Sequence, residues 1–98
     1  MISKVNVIGI LTDDRLIVEQ KDNLTIITGF ILTVVPNTEF VKYVEFTMYN
    51  DLAKEVFNEQ QKYRDNLTFF SGDLYYNDIM KKNVFKLTKK PVVLEETK

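Results

Sequence analysis

A small closed β-barrel of five strands, with one helix between strands three and four, is the fold predicted by this 98-residue sequence. Its apolar segments are short, rich in Val, Ile, Thr, Phe and Tyr, and bounded by Asn/Asp turn signals, the pattern of strands. The 3 glycines, Gly9, Gly29 and Gly72, all fall inside such segments, where a bulge or bend lets a sheet curve. One segment alone, after Asn50-Asp51, has helical spacing. Strands in so short a chain hide their edges by closing on themselves, with the helix plugging one end. A flat sheet carrying the helix on one face is the competing arrangement, and the mid-strand glycines favour the barrel.

Lys4–Leu11 reads as the first strand, interrupted by Gly9. Thr12-Asp13-Asp14 is a turn, and Arg15–Gln20 continues the ribbon. Lys21-Asp22-Asn23 is a second turn, because Asp and Asn tolerate the backbone angles that turns need. Leu24–Val35 is the longest apolar run, and its β-branched content selects strand over helix. Pro36-Asn37-Thr38 closes a hairpin into the Phe40–Tyr49 strand. Asn50 or Asp51 then caps a helix whose inward stripe is Leu52, Ala53, Val56, Phe57 and Gln60, ending near Tyr63. Leu67–Tyr76 and Val84–Thr88 are the last two strands, and Val92–Leu94 is a short extended piece after Pro91. Residues 1–94 are read as one domain and 95–98 as a frayed tail.

Composition restricts the function classes. The sequence is 45 % hydrophobic and 28 % charged, ordinary for a soluble globular protein, and a cytoplasmic location is expected. No apolar run approaches the ~20 residues of a membrane span. Without cysteine or histidine, disulfides, thiolate metal sites, catalytic triads and imidazole bases are excluded. No phosphate-binding glycine loop or nucleophile elbow is present. The pairs Asp13-Asp14 and Glu95-Glu96 fall in a turn and a tail, where their backbone preferences explain them. A binding protein without cofactor or metal is therefore expected, and not an enzyme.

The candidate binding surface comes from strand alternation. Val44, Phe46 and Met48 share one face of their strand and form core, while Tyr43, Glu45, Thr47 and Tyr49 share the other. Two tyrosines among polar neighbours suit stacking on flat rings such as nucleobases. Exposed strand tyrosines or a subunit interface produce the same pattern. A formal net charge of −1 opposes strong non-specific phosphate binding. Lys81, Lys82, Lys86, Lys89 and Lys90, however, lie in a stretch without acids, which serves either phosphate contact or protection of a strand edge.

Met1-Ile2-Ser3-Lys4-Val5-Asn6-Val7-Ile8-Gly9 resembles the opening of bacterial single-stranded DNA-binding proteins. Val44–Val56 resembles their third strand and helix start, Phe70-Ser71-Gly72-Asp73-Leu74 their next strand, and Val84–Thr88 their closing strand. The resemblance covers nearly the whole chain and implies an oligonucleotide-binding (OB) fold. It places Tyr43 and Tyr49 at base-stacking positions, Phe40 near the hairpin end where the family often has a further aromatic, and Tyr75 at a DNA-facing position. Lys42, Lys81, Lys82 and Lys86 then follow the phosphates. Ile10, Glu45 and Asp73 depart from the family pattern, each replacing or opposing positive charge. The chain stops at Lys98 without the family's acidic tail, which suggests a short relative from a phage or mobile element.

The function implied is sequence-independent single-stranded DNA binding in replication, recombination or repair, by a homo-oligomer (dimer or tetramer), with salt-sensitive affinity where lysines carry it. The competing reading is an accessory that keeps the fold and binds a helicase, primase or polymerase, which the acidic substitutions favour. Single-stranded RNA is a third ligand, because stacking does not read the 2′-hydroxyl.

Overall fold

The computed structural model describes residues 2–13, 15–34 and 41–95. In chain order these form β1 (Ser3–Leu11), β2 (Ile17–Lys21), β3 (Leu24–Val34), β4 (Val41–Tyr49), α1 (Asn50–Asn58), α2 (Gln60–Asp65), β5 (Leu67–Asn77), β6 (Lys82–Leu87) and β7 (Val92–Glu95). Five strands run in the order β1-β3-β4-β6-β5, and β5 pairs back onto β1 to close the barrel. The pairs are antiparallel except β4–β6, which runs parallel and meets at Thr47 and Lys86. β2 and β7 are additional short strands, on β3 and β5 respectively. The expected Pro36-Asn37-Thr38 turn, Phe40 and tail residues 96–98 lie outside the described residues.

Alternation explains which side chains fill the barrel. Leu11, Ile27, Ile31, Phe46, Met48, Phe70, Phe85 and Leu87 point inward, and Ala53, Val56 and Tyr63 come from the helices to close one end. Ring contacts tie the helix plug to the barrel: Phe70 has its centroid 6.1 Å from Phe46 and 6.4 Å from Tyr63. Such tilted aromatic pairs contribute ~0.5–1.5 kcal/mol beyond the area that they bury.

The helical segment differs from the sequence expectation in three respects. It is broken at Glu59, where the Lys62 N–H reaches back three residues to the Glu59 carbonyl, so two short helices replace one. Phe57, expected inward, is 39 % exposed, because the break and the barrel end leave its side outside. Asn50 is not the cap. Tyr49 occupies that position with extended backbone and no side-chain cap bond, while Asn50 has φ 52° and its Oδ1 accepts the Thr25 N–H at 3.1 Å. The asparagine ties the helix start to β3 instead of capping its own helix.

Glu59 is anchored on both sides. The Tyr63 hydroxyl donates to its carboxylate at 2.9 Å, and Lys90 Nζ lies 3.2 Å away. Those partners, the Tyr63 bond first, lower the Glu59 pKa below its usual 4.5. Tyr63 shifts upward, mainly because its ring is buried and secondarily through the bond to Glu59.

The mid-strand glycines serve close approach more than backbone freedom, since none has positive φ. A Cβ on Gly72 would lie 2.1 Å from the Lys86 carbonyl oxygen, and one on Gly9 would lie 2.3 Å from that of Leu32. Both sites are where strands press together to close the barrel. Gly72→Ala is expected to lose about 1–3 kcal/mol in urea unfolding, the cost of overpacking against fixed backbone. A second expectation concerns pH. A lowered folded-state pKa means that the Glu59 contribution is complete above pH 4.5 and lost as pH falls through the lowered value. Glu59→Gln should flatten the stability–pH curve in that acid window and leave its slope at neutral pH unchanged.

Candidate nucleic-acid interface

The outer wall of β4, β6 and β5 is built by register. Thr47 stands opposite Lys86, Lys86 opposite Asp73, and Asp73 opposite Lys4 of β1, making one polar row across four strands. Tyr43, Glu45 and Tyr49 share this face with Thr47 on β4, and Tyr75 shares it with Asp73 on β5. Tyr43 is 63 % exposed, while Tyr49 and Tyr75 are half-buried.

Tyr49, Lys86 and Tyr75 form one cluster. Lys86 Nζ lies 5.0 Å from the Tyr49 ring centroid, a cation–π distance. Tyr75 borders Tyr49, and its pKa is raised, first by burial and then by the neighbouring phenol. The Tyr75 phenol is therefore neutral at physiological pH and can offer a hydrogen bond as well as a ring face.

Acids hold two of the neighbouring lysines. Lys82 Nζ meets Glu45 Oε2 at 2.8 Å, and Lys4 Nζ lies 3.8 Å from Asp73 Oδ1. Among the described residues Lys86 has no carboxylate partner and is left over the aromatic ring. The Lys4–Asp73 separation is too long for a hydrogen bond. Asp73 Oδ1 is accordingly buried without a hydrogen-bond partner, as is Thr47 Oγ1. Both orphan atoms belong to the row containing Lys86, and buried unsatisfied groups are rare enough to need a reason.

The other sequence candidates are distributed differently. Lys81 lies at the tip of the β5–β6 turn with φ 57°, and Asn77 Oδ1 holds that turn by accepting the Ile79 and Met80 N–H groups at 3.0 and 2.9 Å. Lys42 falls on the opposite face of β4 from Tyr43 and is exposed where the hairpin outruns the barrel. Phe40 is outside the described residues. The C-terminal lysines do not form one patch, because Lys90 turns to Glu59 at the helix break. Thr47 is on this face as strand alternation predicted, while Lys4 joins it although nothing in its local sequence marks it. Cross-strand register alone brings Lys4 there.

These features define the OB fold: a closed five-stranded barrel with a helical plug between β4 and β5 and a polar-aromatic outer wall. The fold is shared with the mitochondrial single-stranded DNA-binding protein Rim1 of S. cerevisiae. One crystal form gives a TM-score of 0.74 at 13 % identity, covering 100 % of this chain and 99 % of that one. Another gives 0.73 at 11 % identity, covering 99 % and 100 %. A small single-stranded DNA binding protein from Mycoplasma pneumoniae matches with a TM-score of 0.55 at 15 % identity, covering 100 % and 99 %. Neither a family model nor a curated protein sequence matches the chain.

Proposed function

We propose that the chain binds single-stranded DNA without sequence preference along the outer wall of β4, β6 and β5, in replication, recombination or repair. The observation that carries this reading is the Tyr49–Lys86–Tyr75 cluster on the same strand face as exposed Tyr43, set on a fold shared with single-stranded DNA-binding proteins. Tyr43 offers an open ring face for one base. A base stacking on the Lys86 side of Tyr49 displaces the ammonium, which then meets the adjacent phosphate. Thr47 Oγ1 and Asp73 Oδ1 gain partners when the strand arrives or brings water with it. Lys81 and Lys82 extend the track toward the β5–β6 turn.

The ion pairs predict a particular balance of forces. With Lys82 held by Glu45 and the Asp73 carboxylate beside Lys4, part of the positive charge of the wall is already offset, so stacking carries more of the affinity than charge does. The steep salt dependence expected from counting lysines becomes a shallow one. A separate apolar strip on the far wall, where Ile8 faces Phe69 and Phe69 faces Val92, supports assembly with a second copy. Ile8 is 48 % and Val92 57 % exposed.

Two measurements test this reading. In fluorescence anisotropy with labelled oligo-dT, Tyr43→Ala and Tyr49→Ala should each weaken binding roughly five- to hundredfold, the equivalent of ~1–3 kcal/mol per stacked base. Unchanged affinity in the double variant, with the fold intact by circular dichroism, would exclude the wall as the binding surface. Glu45→Gln releases Lys82 and should tighten binding. It should also steepen the log–log salt dependence by about 0.7, the contribution of one additional phosphate contact on a single strand.

A further inference from the structure

Away from the tyrosine wall, a groove runs between the β2–β3 hairpin and the helices, and the DNA-binding reading makes no use of it. It consists of two adjoining hollows that share Val18 and Phe57. One hollow adds Gln20, Thr25, Ile27 and Lys54, and the other adds Asp13, Arg15, Gln60 and Arg64. Val18 is 50 % and Phe57 39 % exposed, so apolar surface lies open at the centre. Cationic side chains stand at both ends, Lys54 at one and Arg15 with Arg64 at the other, and among the described lining residues Asp13 is the one carboxylate. Arg64 is oriented by donating from Nε to the Thr12 carbonyl at 2.8 Å and from a terminal nitrogen to Gln60 Oε1, so an incoming carboxylate meets a guanidinium already fixed in place.

The lip of the groove is a free strand edge. β2 pairs with β3 from Ile17↔Thr28 to Lys21↔Leu24, and among the described residues no strand pairs with its other side. Val18 and Gln20 face the groove, while Ile17 and Glu19 face away. An open edge has unpaired backbone donors and acceptors, a template for one more strand.

The geometry points to a docking site for an extended acidic peptide, added as a strand along β2. Because side chains alternate, the residues that face the groove lie two apart. The apolar centre between two cationic ends therefore selects the pattern acidic-x-apolar-x-acidic. The apolar side chain seats against Val18 and Phe57, and the carboxylates meet Lys54 on one side and Arg15 with Arg64 on the other. Such a segment would belong to a partner protein, which could occupy the chain while its tyrosine wall holds DNA.

The test uses a fluorescein-labelled peptide containing Asp-Thr-Leu-Thr-Asp and a matched control containing Lys-Thr-Leu-Thr-Lys, measured with and without saturating oligo-dT. The acidic peptide should bind at least tenfold more tightly than the control, and oligo-dT should not displace it. Val18→Asp, at an exposed position, should weaken the peptide at least tenfold and leave oligo-dT affinity unchanged. Lys54→Glu should restore binding to a peptide with lysine at the corresponding end only. Equal binding of the two parent peptides would overturn the proposal, as would displacement by oligo-dT, which places the peptide on the tyrosine wall. A Val18→Asp variant that changes the sedimentation mass would also overturn it, because a second copy would then be the occupant. Failure of oligo-dT binding alone leaves these peptide outcomes intact, so the two readings fail separately.

Discussion

Barrel closure through β5 is the constraint on which the remainder of the structure depends. That strand pairs with β1 along one edge, and with β6 and β7 in succession along the other. Gly72 sits where β1 and β6 both border β5, and the missing Cβ lets the Lys86 carbonyl approach. The same closure sets the order of side chains on the outer wall. Without it Thr47, Lys86, Asp73 and Lys4 belong to four unconnected segments. With it they form one row flanked by tyrosines.

The helical plug and the wall are coupled through the alternation of single strands. On β4, Phe46 and Met48 fix the inward register by burial, and Tyr43, Glu45, Thr47 and Tyr49 are thereby forced outward. A one-residue slip would expose the core and bury the polar row at once. Hydrophobic burial therefore positions the candidate binding side chains, while the local ion pairs only tune them. Surface pairs such as Lys82–Glu45 stabilise the fold little, yet they govern how much positive charge a polyanion meets.

Much of this was legible in the sequence, and the exceptions have physical reasons. Periodicity of two placed Tyr43 and Tyr49 on the face opposite Phe46, because alternation is a local property. The barrel and the helix position were legible from short strands and turn residues. The helix break was not, since Glu59 owes its environment to Lys90 and Tyr63, and the Lys90 contact spans 31 positions. The Asn50 cap was misread because its amide serves β3 across the fold. The lysine cluster read as one patch divides, as strand direction and the β6–β7 connection turn its members to different sides. Lys42 shows the limit of proximity in sequence: adjacent to Tyr43, it faces the other way.

The central claim is that ligand contact lies on the outer wall of β4, β6 and β5, and amide chemical-shift mapping during an oligo-dT titration tests it most directly. The account predicts saturable shifts concentrated at Tyr43, Glu45, Thr47, Tyr49, Asp73, Tyr75 and Lys86, with the Val18–Phe57 groove unperturbed. Shifts centred on that groove or on the Ile8–Val92 strip, or no shifts at low salt, would contradict it.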